Sequence, residues 1–514
     1  MGGNEKRALV AVLITMLLIT AYSYFFLPKT YNNENRNTAS ENSSQVKTNR
    51  QAVSLESKSS TVTDDNPVKI DTDYYKIAIS TANGSIKRLI LKKYKVDKKP
   101  VNLIESSGKY KNLETVFRSR DVEDVEKTTT YIPNKKQYSL SGENATFTLI
   151  LKKSKNGITI EKTYKFVNNK YDIATNIQVY RNGKPVNEEF SIYAGPNLGD
   201  LKKGKYSHLG AVALVDNKKI KKDNKIKPDS NIDWVALESK YFCFALLPDA
   251  KKHIVAGYNE IDDASYIYAN ISTPSHLTIY AGPKSKEIID SVNPKLDKII
   301  RFGMFGFIGK PLLKVLNVLY AYLGNYGLAI ILLTFFIRLL FYPLSFKSFK
   351  SMKSMSKLQP KLKELQVKYK GKPDQLNKAT MELYKKHKVN PFGGCLPVVI
   401  QIPVFLGFYN VLLNAIELRG APFALWIVDL SAKDPYYILP IIMGITMFLQ
   451  QKLTPTSMDP KQAKIMMFLP LIFTFMFLNF PSGLVLYWAT NNILTIIQQV
   501  FIDSKIIESK EKHV

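Results

Sequence analysis

The sequence predicts an α-helical membrane protein with six spans, joined to an all-β domain. Two observations lead to this prediction. Residues 28 to about 290 are polar and rich in lysine, whereas most of the stretch 326–502 is apolar. A soluble domain next to a membrane domain has this uneven composition. The length of 514 residues also allows two or three domains.

The chain is strongly basic, with a formal net charge of +29 at pH 7. This charge suits contact with nucleic acid, anionic lipid or a ribosome surface, and a general preference for lysine explains it as well. Cys243 lies in the polar part and Cys395 at the start of an apolar run. We therefore expect no disulfide between them.

The first predicted span is Ala8–Leu27, an uncharged stretch of 20 residues behind Lys6 and Arg7. As a helix it is ~30 Å long, which matches a bilayer core. A cleavable signal peptide is the alternative, since Ala21 and Ser23 form a small-x-small pair, but the apolar run continues beyond them. We expect an uncleaved anchor with the N-terminus inside.

Five further apolar runs are predicted as spans: Tyr326–Ser345, Cys395–Asn414, Tyr437–Gln451, Ile465–Phe480 and Gly483–Ile502. The last two are separated only by Pro481 and Ser482, which predicts a tight helical hairpin. Two runs are about 15 residues long, short for a span and suited to a thinned bilayer. Loop 346–394 holds 13 lysines against three acidic residues, whereas loop 415–436 is not basic. This contrast places loop 346–394 and both termini in the cytoplasm.

The polar region after the first span predicts a tether followed by a β domain. Residues 28–66 are rich in Asn, Ser, Thr and Lys and predict a flexible linker. Alternating apolar runs then flank turn residues at Asn83-Gly84, Asn168-Asn169 and Asn182-Gly183, which indicates hairpins. We interpret 68–285 as an all-β sandwich. Its histidines are widely spaced, so we expect no metal site.

Two helical regions flank the second span. Residues 291–325 are apolar and punctuated by basic side chains, which predicts a helix lying in the headgroup plane. Residues 347–388 predict two polar helices with a break at Pro360 and a turn at Gly371 and Pro373. The lysines of this cytoplasmic hairpin are either a solvated face or a dock for anionic lipid or ribosomal RNA. The residues chosen to test the docking hypothesis are Lys353, Lys357, Lys361 and Lys368.

Arg338 is the one charged residue between Ile330 and Leu344. It lies about 12 residues into the second predicted span, and Lys347 is nine residues further on, ~13 Å along a straight helix. We therefore expect the guanidinium at mid-depth, where facing lipid costs ~2.5–3.5 kcal/mol.

Neutral polar residues are the expected neighbours of Arg338, because no Asp or Glu occurs in the other predicted spans. Thr334 is one helical turn before Arg338, and Gln401 lies in the third span. The last span carries a polar stripe of Tyr487, Asn491, Thr495 and Gln498. Together they predict a hydrated pocket with one fixed positive charge. A structural arginine and a small-molecule or ion transporter site are the alternatives, although transporters usually carry acidic residues in the membrane.

Several long segments resemble the YidC membrane-protein insertases. They are "LLTFFIRLLFYPL", "KVNPFGGCLPVVIQIPVFLGFYNVL" and "FPSGLVLYWATNNILTIIQQ". The resemblance is close over about 326–502. It implies a bacterial inner-membrane protein with a five-helix insertase core and a periplasmic β-super-sandwich. It also implies a groove that is open to cytoplasm and lipid and closed to the periplasm.

The resemblance assigns roles position by position. Arg338 matches the groove arginine, Thr334 and Gln401 match polar groove residues, and Tyr487 with Trp488 matches a pair that contacts the incoming helix. Some family members carry a second tyrosine where this chain has Trp488, which keeps the aromatic ring and lacks the hydroxyl. The implied partners are nascent inner-membrane proteins and the Sec translocon.

The expected mechanism is electrostatic and involves no enzyme chemistry, cofactor or metal. A hydrated cavity shortens the path of a polar segment through hydrocarbon, and Arg338 attracts acidic segments. A sugar-processing enzyme in the outer domain is a weaker alternative, because 68–285 shows no convincing His–carboxylate arrangement. The expected organisation begins with the cytoplasmic N-terminus and first span (1–27), the linker (28–66), the periplasmic β domain (67–290) and the interfacial helix region (291–325). It continues with the second span (326–345), the cytoplasmic hairpin (346–394), spans three to six (395–502) and the cytoplasmic tail (503–514).

Overall fold

A computed structural model describes residues 66–511 apart from 97–98, 105–107, 197, 199–208, 222–231, 249–254, 262–263, 301, 388, 390–395 and 455–466. The chain divides after Ile300 into two units. We call the described residues up to Ile300 the β unit and those that follow the helical unit. The predicted first span Ala8–Leu27 and nearly all of the predicted tether lie outside the described residues.

The strands of the β unit form where apolar residues alternate. In Ile158–Val167 every second side chain is buried, including Ile160 and Tyr164. One face of a pleated strand therefore supplies the core. The predicted turn at Asn182-Gly183 is confirmed: both residues have positive φ (48° and 78°) between paired strands. This combination is typical of a type I′ hairpin turn.

Three sheets make up the β unit. The five-stranded sheet has the order β4-β3-β2-β1-β7. Its strands are β1 Val68–Asp71, β2 Tyr75–Ile79, β3 Ile86–Val96, β4 Lys99–Asn102 and β7 Gln137–Ser139. The four-stranded sheet has the order β17-β18-β12-β5. Its strands are β5 Glu114–Phe117, β12 Glu189–Ala194, β17 Val255–Ile261 and β18 Ala264–Ser272.

The ten-stranded sheet has the order β14-β13-β15-β16-β19-β10-β9-β8-β6, with β11 paired to β10. Its first members are β6 Ile132–Pro133, β8 Thr146–Lys155, β9 Ile158–Val167, β10 Asp172–Arg181 and β11 Lys184–Val186. The others are β13 Gly210–Val215, β14 Lys218–Lys221, β15 Ile232–Glu238, β16 Phe242–Pro248 and β19 Ser275–Pro283.

The two small sheets pack on the large one. The Tyr75 hydroxyl of β2 donates to the Tyr171 carbonyl oxygen beside β10 at 2.8 Å, and β18 packs on β13, β15 and β16. The prediction of a β-rich domain is therefore confirmed. Two helices, α1 Arg120–Thr128 and α2 Lys286–Val292, and a 3₁₀ helix, Pro294–Ile299, complete the β unit.

Nine α-helices form the described helical unit. They are α3 Gly306–Leu323, α4 Tyr326–Leu340, α5 Tyr342–Lys357, α6 Gln359–Lys368, α7 Pro373–Lys386, α8 Leu396–Asn414, α9 Ile438–Leu453, α10 Leu469–Phe477 and α11 Ser482–Glu511. A 3₁₀ turn, Ile416–Leu418, follows α8. Helix α11 packs on α4 and α9, and α3 packs on α4 and α8.

The expected straight helix over 326–345 is broken. Helix α4 ends at Leu340, and α5 continues at an angle of 64° to it. Pro343 lies in the first turn of α5, where its missing N–H costs no helical hydrogen bond and its ring would clash with a continuous preceding helix. Helix α5 then runs without interruption through the boundary expected at 345/346.

Two other predicted helices differ in their ends. The helix expected within 291–325 is present as two pieces, the 3₁₀ helix Pro294–Ile299 and α3 Gly306–Leu323. The predicted cytoplasmic hairpin is present as α6 and α7, which pack on each other. Its break comes at Leu358, two residues before Pro360, because proline occupies the first turn of α6.

Close packing of α3 on α8 depends on two glycines. A Cβ on Gly309 would lie 3.0 Å from the carbonyl oxygen of Gly407. Small residues at such a crossing let helix backbones approach each other.

Within the described part of the chain, no helix taken singly has both the length and the apolar character for a membrane span. The bent pair α4 and α5 meets that test together, and 400–414 and Ile438–Leu453 are shorter apolar helices.

Candidate functional site

Arg338 lies in the last turn of α4, three residues before the bend. The prediction of a straight helix through this region is therefore wrong, because the chain bends three residues after the arginine. The depth of Arg338 in the membrane stays a prediction. A cation at this end of a helix is favoured by the carbonyl groups of the last turn. The Arg338 Nε donates to Asn491 Oδ1 of α11 at 2.8 Å.

The partner of Arg338 is neutral. Among the described residues no carboxylate lies within salt-bridge distance of the guanidinium, and Asn491 is its hydrogen-bond partner. Asn491 itself is buried. The prediction of neutral polar neighbours thus agrees with the geometry.

Four helices meet around Arg338 at a small cavity. Its polar lining comes from Arg338 of α4, Ser345 of α5, Gln401 of α8 and Asn491 of α11. The enclosed space is about 20 Å³, which is room for about one water molecule. The structure thus brings three of the predicted site residues together in one narrow space.

Two other predicted residues lie beside this cavity and do not line it. The Thr334 hydroxyl donates to the Ile330 carbonyl oxygen of its own helix at 2.6 Å, and Thr334 is buried. Tyr487 is buried as well, and its hydroxyl lies within hydrogen-bonding reach of Gln401. Tyr487 therefore belongs to the wall behind the polar lining.

Trp488 belongs to an aromatic cluster between α8, α10 and α11. Its ring centroid is 4.7 Å from that of Phe405 and 5.4 Å from that of Phe477. Unlike Tyr487, Trp488 is only half-buried. Of the predicted aromatic pair, Trp488 is thus the member with surface left to contact another chain.

A second polar row on α11 was missed from the sequence. Asn492 donates to Thr446 Oγ1 of α9 at 3.3 Å, and Gln499 Nε2 donates to the Leu453 carbonyl oxygen at 2.5 Å. Asn492 and Gln499 are seven residues apart, so they share a helix face. The spacing of seven residues was visible in the sequence. This second polar row binds α11 to α9.

The hairpin lysines have different surroundings. Lys353 lies on α5 and pairs with Asp503 of α11 at 2.9 Å. Lys361 Nζ lies 3.2 Å from His387 Nε2. Lys368 is exposed in the last turn of α6, and Lys357 ends α5.

The turn between α6 and α7 is built by glycine and proline. Gly371 has φ of 85°, and nothing lies within 4 Å of where its Cβ would be. The demand for glycine there is therefore one of backbone conformation alone. Pro373 begins α7, the helical position that proline favours.

A second buried charge cluster lies in the β unit, and the sequence reading missed it. Glu126 of α1 accepts from Lys162 Nζ at 2.8 Å and pairs with Lys153 Nζ at 3.1 Å. The Tyr131 hydroxyl donates to Glu126 Oε2 at 2.6 Å. Both lysine side chains are 0% exposed. We call Glu126, Lys153 and Lys162 the lysine–glutamate cluster.

Backbone and hydroxyl oxygens accept the remaining protons of the lysine–glutamate cluster. Lys153 Nζ donates to the carbonyl oxygen of Glu126 at 2.6 Å. Lys162 Nζ donates to Thr115 Oγ1 and to the Asn83 carbonyl oxygen, both at 2.7 Å. Burial lowers the pKa of Lys153 to about 8 against the opposing field of Glu126. Burial raises the pKa of Glu126, but the two lysines outweigh it and hold that pKa below its usual value.

No group of three or more His, Cys, Asp and Glu side chains in the described ranges is placed to hold a metal ion.

Comparison with known proteins decides the family. Residues 318–510 match the family model described as 60Kd inner membrane protein, and residues 67–315 match the YidC periplasmic domain. The membrane protein insertase YidC of Geotalea uraniireducens is 40% identical over 98% of this chain and 99% of its own length. The chain belongs to the YidC family. The YidC insertase of Geotalea daltonii is 38% identical, with coverage of 98% and 99%.

Among solved structures, an active YidC insertase with its first transmembrane domain resolved aligns with a TM-score of 0.38 at 18% identity, over 86% of this chain and 93% of that one. The two family-model matches follow one another along the chain, so the β unit corresponds to the periplasmic domain of the YidC family. The relatives are named insertases, and the transporter alternative finds no support.

Proposed function

We propose that the protein is a membrane protein insertase that moves the polar segments of small inner-membrane proteins past Arg338. Membership of the YidC family supports the general activity. The observation that carries the proposed mechanism is the buried junction of α4, α5, α8 and α11. There a positive charge is held by the neutral Asn491.

The proposed topology follows the sequence. Six spans are proposed, with both termini and the α6–α7 hairpin in the cytoplasm and the β unit in the periplasm. The lysines of 346–394 support this orientation. The partners are nascent inner-membrane proteins, with or without the Sec translocon.

An arginine without a carboxylate partner has charge available for a ligand. Two unit charges 4 Å apart attract by ~4 kcal/mol at an effective dielectric constant of 20. An acidic segment entering beside Arg338 therefore recovers part of the free energy that it loses on leaving water. Asn491 holds the guanidinium in place without neutralising it.

The apolar helix of the incoming protein supplies the driving force. Its transfer to lipid is worth ~25 cal/mol per Å² of apolar surface. The half-buried Trp488 offers an aromatic face for this helix to pass. The mechanism needs no covalent step and no nucleotide.

The narrow cavity sets a condition on this mechanism. Room for about one water does not admit a polypeptide. Insertion therefore requires α5 or α8 to move away from α11, so that the space around Arg338 widens and takes in water.

Three substitutions at one position test the proposal. Arg338→Ala should weaken insertion of an acidic segment, Arg338→Lys should be tolerated because a positive charge matters more than the fork geometry, and Arg338→Glu should abolish insertion of that segment. Insertion is measured in proteoliposomes and by complementation of a depletion strain. Arg118→Glu, at an exposed arginine of the β unit, is the control. Full activity of Arg338→Glu at normal membrane levels contradicts the proposal.

A further inference from the structure

Gln498 is a buried amide on α11. It is 9% exposed, and neither Oε1 nor Nε2 has a hydrogen-bond partner among the described residues. It continues the α11 row on which Asn491 accepts from Arg338 and Thr495 donates to the Asn491 carbonyl oxygen. A buried polar group without partners costs folding free energy. Among the described residues, Gln498 therefore contributes no hydrogen bond to the stability of the fold.

The next residue provides a matched comparison. Gln499 is also buried, at 2% exposed. Its Nε2 donates to the Leu453 carbonyl oxygen at 2.5 Å, and its Oε1 accepts from Thr454 Oγ1 at 3.4 Å. One glutamine therefore fastens α11 to the end of α9, while its neighbour makes no such bond. Packing of α11 on α9 does not require Gln498.

Gln498 lies between two links that join α11 to the bent helix pair. Arg338 contacts Asn491 on one side, and Lys353 pairs with Asp503 on the other. Gln498 is seven residues after Asn491 and five before Asp503, or ~10 Å and ~8 Å along the helix. Along the axis of α11, Gln498 therefore lies between the arginine cavity and the Lys353–Asp503 pair.

Helix α5, which packs on α11, carries small polar residues that are buried. Ser345 and Ser348 are 2% and 3% exposed, and their spacing of three places them on one face of α5. Ser345 lines the arginine cavity together with Asn491, and α5 packs on α11. We call Ser345, Ser348, Thr495 and Gln498 the polar seam. It contains no charged residue.

We propose that Gln498 binds the peptide backbone of the incoming polypeptide as that chain passes between α5 and α11. A primary amide presents a donor and an acceptor side by side, which match the C=O and N–H on one edge of an extended peptide. Such recognition ignores side chains and suits an insertase with varied substrates. This inference rests on the function proposed above. Arg338 selects charge, and Gln498 binds backbone regardless of sequence.

The test compares Gln498→Leu with Gln499→Leu in the full chain. Thermal unfolding is measured in detergent, and insertion is measured in proteoliposomes with a single-spanning protein that carries a short acidic translocated segment. Gln498→Leu should keep or raise the melting temperature, because an unbonded amide is removed, yet slow insertion by about five-fold, as for one lost hydrogen bond. Gln499→Leu should lower the melting temperature.

A second substrate separates backbone binding from charge attraction. When the acidic residues of the segment are replaced by Asn and Gln, Gln498→Leu should slow its insertion by the same factor. Arg338→Ala should affect the acidic segment more. A photoreactive residue at position 498 should crosslink to the arrested segment, and one at position 499 should not.

Two results overturn the inference. If Gln498→Leu lowers the melting temperature as much as Gln499→Leu does, the amide is structural, bonded for example to an ordered water. If Gln498→Leu inserts both segments at the wild-type rate while Arg338→Glu fails to insert the acidic segment, Gln498 binds no substrate and the proposed function stands. If Arg338→Glu also inserts at the wild-type rate, the proposed function itself fails.

Discussion

The two units bury positive charge in opposite ways. In the β unit, Lys153 and Lys162 share Glu126, and backbone oxygens accept their remaining protons. In the helical unit, Arg338 has the neutral Asn491 as its partner within the described structure. A buried charge is tolerated when it is paired and hydrogen-bonded. The lysine–glutamate cluster is therefore complete within the fold, whereas Arg338 has charge to offer a ligand.

Structural and functional charges in this protein differ in how they are bonded. Deep burial does not identify the functional charge, because the lysines are more deeply buried than the arginine. The ion pairs and hydrogen bonds of each group do identify it. If the distinction holds, removing a member of the lysine–glutamate cluster changes stability, and removing Arg338 changes activity.

The largest expected effect is on the β unit. Glu126→Gln leaves two buried lysines without a counter-charge, and breaking a buried pair in this way costs ~3–5 kcal/mol. Thermal unfolding of the full chain in detergent, followed by near-UV circular dichroism, measures the loss. Glu161→Gln is the control, because its partner Lys152 is largely exposed, and it should leave the midpoint nearly unchanged. Equal midpoints for the two variants contradict a structural role.

A smaller effect is expected from Lys153→Met. Lys162 still pairs with Glu126 in this variant, so the net charge of the cluster falls from +1 to zero, and the loss at pH 7 should be below ~1.5 kcal/mol.

The same substitution has a signature in pH. Burial lowers the pKa of Lys153 to about 8 in the fold, whereas an unfolded lysine titrates near 10.4. Between these values the unfolded state binds more protons, so the free energy of unfolding rises with pH. The wild-type melting temperature should therefore rise relative to that of Lys153→Met from pH 8 to pH 10. A constant difference would show that Lys153 is not perturbed.

The smallest effect per residue is expected in the hairpin. Each surface lysine near an anionic membrane is worth ~1 kcal/mol or less. Replacing Lys353, Lys357, Lys361 and Lys368 by Gln should weaken co-sedimentation with anionic vesicles and flatten its salt dependence.

The pairing of Lys353 with Asp503 sharpens this experiment. Lys353→Gln alone should change vesicle binding little, and the other three substitutions should account for most of the loss. If the four-residue variant binds vesicles and ribosomes as well as wild type at every salt concentration, the lysines are a solvated face.

Local chemistry made much of the fold predictable. The hairpin at Asn182-Gly183 follows from residues that accept positive φ. The bend after Leu340 was missed because an apolar run of the right length masked Pro343, although that proline was visible in the sequence.

The lysine–glutamate cluster was not predicted, because its strands contain several other lysines. Its signal was the alternation: Lys162 occupies an inward position in line with Ile160 and Tyr164. A single lysine on the apolar side of a strand predicts a buried partner. Glu126 was not assignable to it from the sequence, because the contact joins a helix to strands far along the chain.

The candidate site was predictable in its residues more than in its geometry. Arg338, Gln401 and Asn491 line the same cavity, because polar side chains of apolar helices form hydrogen bonds between helices. The burial of Tyr487 and the different bonding of Gln498 and Gln499 depend on helix packing. Spacing on α11 alone does not reveal either.

In the proposed function, the charge of Arg338 is available to the incoming segment. The sharpest test exchanges charge on both sides. Insertion of a single-spanning protein with an acidic segment is compared with insertion of its lysine-substituted form, in wild type and in Arg338→Glu. We expect wild type to insert the acidic segment faster and Arg338→Glu to insert the lysine-substituted segment faster. The same preference in both proteins would contradict this proposal.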